Sequence, residues 1–470
     1  MVNYMVSFNP IEERMSSVEQ QSMIMHTSIA VIIFLLSPYV GGLAFLASTP
    51  FILYMMFKPK VQYLPAMIIY MQCGGQAIYL GAMVCLLYCI VHFNDIVRAK
   101  LRWLFIAYLM FAPFFLWVAA KRWGVRTTSE YAFYHGSVFA MAQYCSLSTF
   151  FWAASAFKKL KNKTFSALYF VAAFAILCSS LRFIGITQYH IPGFLFWALT
   201  YFAALLAWHL FARQHNLLIT LSLIIFFVLF ILIFFVRGAT VSFTQFGLVV
   251  ISFILTLSAL RFKKLYVVFF PAALMILSTL YVLRSESIAE KNQGQYFGAT
   301  SYDQLSMTSV AGIIERIERK AFDDRAVLWS ASMRAIKEKF SRGIFYVDPY
   351  IKPITLEYYN HRWDVVRVET LLPSHNVFLQ LTLAYGIFGI GFYLLFLIIP
   401  SLKNSFMGAQ ELSQTQYSPM MIASISFITF ASFSGGGILN FGLAFLILGL
   451  LGAGYRHSVE EGRFKRCAVK

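Results

Sequence analysis

Long apolar segments separated by short polar ones make up most of this chain. Most apolar segments run for roughly 17 to 30 residues, enough for a helix to cross the ~30 Å hydrocarbon core of a bilayer. The pattern therefore predicts an all-α polytopic membrane protein with about 12 transmembrane helices. The apolar segments are 24–57, 64–92, 103–120, 137–157, 165–184, 193–212, 216–236, 239–260, 265–283, 376–400, 419–434 and 438–454.

The first apolar segment leaves two topologies open. It contains "SPYVGG", residues 37–42, where one proline and two glycines can divide a helix into two short ones. Lys58 and Lys60 follow the segment and favour the cytoplasmic side, which conflicts with a single crossing. We predict about 12 spans with both termini in the cytoplasm, and 13 spans as the alternative.

The basic residues between the apolar segments assign an orientation. Eleven of them follow alternate spans on one side, and five lie on the other. The positive-inside rule places the larger group in the cytoplasm. Residues 284–374 then form a large periplasmic loop between an N-terminal transmembrane bundle, 1–283, and the C-terminal transmembrane helices with a cytoplasmic tail, 375–470.

The predicted periplasmic loop is where most of the acidic residues lie. It holds 13 of the 38 Lys and Arg residues and 12 of the 20 Asp and Glu residues. Within it, "FDDRAVLWSASMRAIKEKF" is typical of an amphipathic helix, with Asp323 and Asp324 near its positive N-terminal end. One apolar stripe follows at spacings of three and four residues: Trp329, Met333, Ile336 and Phe340.

The composition excludes several classes of protein. The chain is 59% hydrophobic and only 12% charged, against about 25% in soluble proteins. Its net charge of +18 comes from short basic clusters between apolar segments, which indicates contact with membrane lipids rather than nucleic acid. The sequence has no Walker P-loop, no HExxH, no Asp-x-Asp pair and no CxxC pair. We therefore predict neither a metal site nor another cofactor.

A histidine and an asparagine lie at the start of the apolar segment that follows the large polar loop, in "SHNVFLQLTLAYG". In one interpretation His375 and Asn376 are the polar end of a helix at a membrane interface. In the other, His375 is a general base, because an imidazole pKa of about 6.5 suits proton transfer near neutral pH.

Three arginines are candidates for binding an anion. Arg237 lies in "FFVRGATVS" between two strongly apolar segments. Placing an arginine near the centre of a membrane costs about 2.5 kcal/mol or more of free energy. Its guanidinium therefore extends to the membrane surface, pairs with an acidic side chain, or binds an anion. Arg325 opens the amphipathic helix, and Arg334 lies nine residues on, half a turn away. We expect Arg334 on a solvated face, paired with Glu338.

Three motifs occur in order within about residues 216–400. They are an Arg-Gly step between two spans, "RGAT"; an arginine followed by tryptophan, a lysine-rich stretch and glycine, "RAVLWSASMRAIKEKFSRG"; and a His-Asn pair followed by a Gly-x-x-Gly step, "HNVFLQLTLAYGIFG". Together they resemble the O-antigen ligase and polymerase family of bacterial membrane glycosyltransferases. The chain departs from that family at Val236, where serine is common before the arginine.

The resemblance implies a metal-independent, inverting glycosyltransferase of the bacterial inner membrane. Its donor would be a glycan on undecaprenyl diphosphate, and its acceptor lipid A-core or a growing glycan. Arg237 and Arg325 would bind the diphosphate, and His375 would be the catalytic base. The supporting candidates are Asn376, Arg182 and Arg334.

The preferred function is that of an O-antigen ligase in lipopolysaccharide biosynthesis. Two alternative functions remain. A polysaccharide polymerase of the same family shares all three motifs. A flippase or transporter of lipid-linked glycan belongs to another class. A flippase or transporter would be expected to have two halves of similar sequence and charged residues inside its transmembrane spans, and the sequence shows neither feature.

Overall fold

The protein is predominantly helical in the part that the structure describes. The computed structural model describes residues 15–40, 42–73, 77–121, 123, 137–157, 162–183, 192–211, 220–228, 249–257, 280, 325–341, 343, 355–358, 366–369, 376–398, 423–424, 426, 446–456 and 459. The predicted helical class is confirmed at this level.

The helices are numbered in chain order. They are Ser17–Val40 (α1), Gly42–Phe57 (α2), Leu64–Cys73 (α3), Ala77–Val91 (α4), Phe93–Arg98 (α5), Arg102–Met110 (α6), Ala112–Lys121 (α7), Ser137–Ala156 (α8), Asn162–Phe183 (α9), Pro192–Phe211 (α10), 220–228 (α11), 249–257 (α12), Arg325–Ser341 (α13), Val377–Tyr393 (α14) and Leu446–Arg456 (α15). A 3₁₀ turn lies at Val61–Tyr63, and a π-helical turn at Leu394–Ile398 extends α14.

The first apolar segment forms two helices rather than one. Helix α1 begins at Ser17, ahead of the apolar residues, because a capping box starts it. The backbone N–H of Glu19 donates to Ser16 Oγ at 3.3 Å, and the backbone N–H of Ser16 donates to the Glu19 carboxylate at 3.0 Å. Helix α1 ends at Val40 and α2 begins at Gly42, and the residue between them, 41, lies in the proline- and glycine-containing motif and outside the described residues.

By number of residues and composition alone, three stretches of the described chain are long and apolar enough to cross a membrane: Ser17–Ser37, Arg102–Lys121 and Val377–Phe396. Shorter apolar helices lie at Leu46–Phe57, Gly81–Val91, Ala167–Cys178, Trp197–Leu210 and Leu446–Arg456. These helices support a membrane protein. The larger number of spans stays a prediction, because several predicted spans fall partly outside the described residues.

Aromatic rings form the centre of the core between α6, α7 and α8. Tyr108 and Tyr144 stack at 4.6 Å, and each hydroxyl donates to the backbone carbonyl of the other residue, at 2.7 and 3.2 Å. Because both hydroxyls have partners, the two side chains are buried without an unsatisfied polar group. Phe392 of α14 packs against both rings at 5.9 and 5.7 Å, which places part of α14 inside this core.

Helix α14 reverses its direction at Gly386. The backbone there has φ 63° and ψ −151°, a conformation that side-chain-bearing residues avoid. The rings of Phe378 and Tyr393 lie 5.3 Å apart, whereas these positions would be about 22 Å apart along a straight helix. Two limbs therefore fold back on each other: a first limb, Val377–Tyr385, and a second limb, 387–398.

The Gly-x-x-Gly step makes this reversal sterically possible. Gly386 supplies the positive φ. A Cβ atom at Gly389 would lie 2.7 Å from the carbonyl oxygen of Leu381 and 2.8 Å from Cβ of Tyr385, so only glycine lets the limbs approach this closely. Each limb is roughly 13 to 18 Å long, shorter than a bilayer core. The segment predicted at 376–400 is thus a folded-back helix rather than one straight crossing.

Helix α13 packs its apolar face against the first limb. The contact buries a small cluster, with Met333 packed against it: Trp329, Ala335, Ile336, Leu379 and Leu383. The predicted stripe is confirmed at Trp329, Met333 and Ile336 and is wrong at Phe340, which is 38% exposed. The reason is length, because the first limb spans about 13 Å and cannot cover all five turns of α13.

A small sheet lies in the segment 284–374, where the sequence predicted amphipathic helices. Strands Thr355–Tyr358 (β1) and Val366–Glu369 (β2) pair antiparallel, with Thr355 opposite Glu369 and Tyr358 opposite Val366. Both strands contact α13. Four-residue strands give too short an alternation to be told from a loop by pattern.

Candidate functional site

Asn376 holds the start of the first limb. Its backbone is extended, and its side-chain oxygen accepts a hydrogen bond from the backbone N–H of Leu379 at 3.1 Å. The side chain is buried, so the bond satisfies one of the N–H groups that a helix start would otherwise leave unpaired. This is the helix-end role for Asn376. It also fixes the backbone directly after His375.

The predicted site residues divide into three groups. His375 and Arg237 lie outside the described residues. Arg182, near the end of α9, and Arg325, the first residue of α13, lie on described helices, and their side chains are outside the description. Arg334 is exposed, as its position opposite the apolar stripe predicts.

Packing brings two of the predicted motifs together. Helix α13, which begins at Arg325, lies against the first limb, which begins two residues after His375. By helical spacing the position of Arg325 shares a face with Trp329 and Ile336, the residues that touch the first limb. Asp323 and Asp324, which were expected near the start of this helix, lie outside the described residues.

Polar groups that the sequence analysis missed line this region. Ser330 and Ser332 of α13 are buried. Gln380 lies one turn after Asn376, and its buried side-chain oxygen has no hydrogen-bond partner among the described residues. A glutamine in the apolar run "VFLQLTL" was the available signal. Its oxygen can accept a hydrogen bond from a hydroxyl or an amide.

A second missed feature joins α14 to α8. The Tyr385 hydroxyl, at the end of the first limb, donates to the side-chain oxygen of Gln143 at 2.5 Å. Both side chains are buried, at 1% and 8% exposure. The partners are 242 positions apart in sequence, so no local pattern could have paired them.

Comparisons with protein-family models, with curated proteins and with solved structures found no match to this chain. Within the described residues, no group of three His, Cys, Asp or Glu side chains comes close enough to hold a metal ion. The resemblance to the O-antigen ligase and polymerase family therefore rests on the three sequence motifs alone, and the metal-free mechanism stays a prediction.

Proposed function

We propose that this chain is a membrane glycosyltransferase that moves a glycan from undecaprenyl diphosphate to an acceptor hydroxyl. The proposed place is the periplasmic face of the bacterial inner membrane, with both termini in the cytoplasm. The observation that carries it is the packing of α13 against the first limb. This contact joins the helix opened by Arg325 to the helix that follows His375, two of the three segments that resemble the O-antigen ligase and polymerase family.

The proposed reaction is a single inverting displacement. His375 takes the proton of the acceptor hydroxyl as that oxygen attacks the anomeric carbon. The bond from the anomeric carbon to the diphosphate oxygen breaks, and undecaprenyl diphosphate leaves with the electron pair. Arg237 and Arg325 offset the charge on the leaving group, since the guanidinium fork pairs bidentately with phosphate oxygens and stays protonated. No protein-bound metal is needed in this scheme.

The preferred activity is transfer of O-antigen to lipid A-core, with polymerisation as the alternative. A strain lacking this chain should show which one operates when its lipopolysaccharide is separated on a gel. Bare core together with free lipid-linked polymer would identify the ligase, and core bearing one repeat unit would identify the polymerase. A pattern identical to that of the parent strain would rule out both.

The orientation can be tested with introduced cysteines in a background without the native ones. A cysteine replacing Gln295 should react with an impermeant thiol reagent in intact spheroplasts, because the positive-inside rule places 284–374 outside. A cysteine replacing Asn162 should react only after permeabilisation. The reverse pattern would place the proposed base and arginines on the cytoplasmic side and would overturn the site.

A further inference from the structure

The hydrogen bond between Tyr385 and Gln143 lies in apolar surroundings. The ring of Phe115 is 5.2 Å from that of Tyr385, and the neighbouring Tyr144 and Phe392 rings belong to the same aromatic core. Breaking a hydrogen bond in such a place is costly, because water does not replace the lost bond. The bond therefore holds the Tyr385 side chain in one position, directly beside the reversal at Gly386.

The first limb links this bond to the proposed site. It is a nine-residue helix, about 13 Å long, and it is regular between Val377 and Tyr385. Its C-terminal end is held by Gln143, and its face by the α13 residues Trp329 and Ile336. A displacement at Tyr385 is therefore carried to the other end of the limb, where Asn376 caps the helix directly after His375.

We propose that Gln143 is a positioning residue, which sets the place of the first limb, and with it His375, through the hydroxyl of Tyr385. The inference rests on the proposed transfer reaction and adds a residue from the N-terminal helices to it. The role is indirect, because Gln143 acts on the limb rather than on the substrate. Transfer is sensitive to such shifts, since a misplacement of about 1 Å can cost about 10²-fold in rate.

Three variants separate positioning from stability. Tyr385→Phe and Gln143→Met each break this buried hydrogen bond, so each should lower the melting temperature of the purified protein. The double variant removes both groups and should recover most of that loss, because a pair replaced by apolar groups of similar shape is nearly neutral. Its kcat should stay at least about 10-fold below wild type, with the KM for the lipid-linked donor nearly unchanged.

A matched control exists elsewhere in the bundle. The hydroxyls of Tyr169 on α9 and Ser222 on α11 form another hydrogen bond, at 2.7 Å. The double variant Tyr169→Phe with Ser222→Ala should leave kcat within about twofold of wild type. If the Tyr385 and Gln143 double variant regains full kcat with its melting temperature, the pair is structural only and the proposal is overturned.

A distance measurement separates this proposal from the proposed function. Spin labels on cysteines replacing Trp103, exposed on α6, and Arg334, exposed on α13, report the distance between α6 and α13, the helix that packs against the first limb. In a background without native cysteines, the distance distribution should shift or broaden in the Tyr385 and Gln143 double variant. An unchanged distribution overturns the positioning role. Absence of transfer by the wild-type protein, with a shifted distribution, overturns only the proposed function.

Discussion

His375→Ala should still bind the lipid-linked donor and should transfer it about 10²–10⁴-fold more slowly, the usual contribution of a general base. The arginines that are proposed to hold the diphosphate remain in this variant, so binding is retained. The loss appears in turnover because the acceptor hydroxyl no longer has a group to take its proton. Donor binding and single-turnover transfer, measured on the same preparation, separate the two effects.

The arginine variants complete this test. Arg237→Lys and Arg325→Lys keep a positive charge and lose the bidentate fork, so both should be strongly impaired. Arg334→Ala should keep most of its activity, because Arg334 is exposed on the face of α13 opposite the packed stripe. Near wild-type transfer by His375→Ala would show that the histidine is only a helix end. Loss of donor binding without loss of turnover per bound donor would make it a phosphate ligand instead.

Gly386→Ala should disrupt the reversal of α14 and abolish most of the transfer activity. At φ 63° and ψ −151° an alanine is strained, at a cost of about 1–3 kcal/mol. Relieving the strain would straighten the helix and separate the two limbs, moving the first limb away from α13. We expect a lower melting temperature in detergent together with a loss of transfer larger than the loss of folded protein explains.

Gly391→Ala is the matched control in the same helix. A Cβ atom there meets nothing within 4 Å, and the residue lies in regular helix. Alanine should stabilise this position by about 0.5–1 kcal/mol, since it loses less backbone entropy on folding. If the two glycine variants have the same melting temperature and the same activity, the reversal does not depend on the backbone freedom of Gly386.

The sequence by itself determined the features that arise from short-range periodicity. Segments of about 17 to 30 apolar residues indicated membrane helices without reference to any partner. The spacing of Trp329, Met333 and Ile336 identified the face of α13 that is buried, because residues three and four apart share one side of a helix. The proline- and glycine-containing motif at 37–42 predicted a division of the first apolar segment, since proline and glycine act within a single turn, and α1 and α2 are described on either side of residue 41.

The tertiary structure alone decided how the apolar segment after His375 is used. An unbroken apolar run is compatible with one straight crossing or with two packed limbs, and hydropathy is equal for both. The choice between them depends on the aromatic rings that pack against Phe388 and Phe392. It also depends on Gln143 of α8, which accepts the hydrogen bond of the Tyr385 hydroxyl. Those contacts join positions more than 240 residues apart, so their energy appears only after the chain has folded and leaves no periodic trace in the sequence.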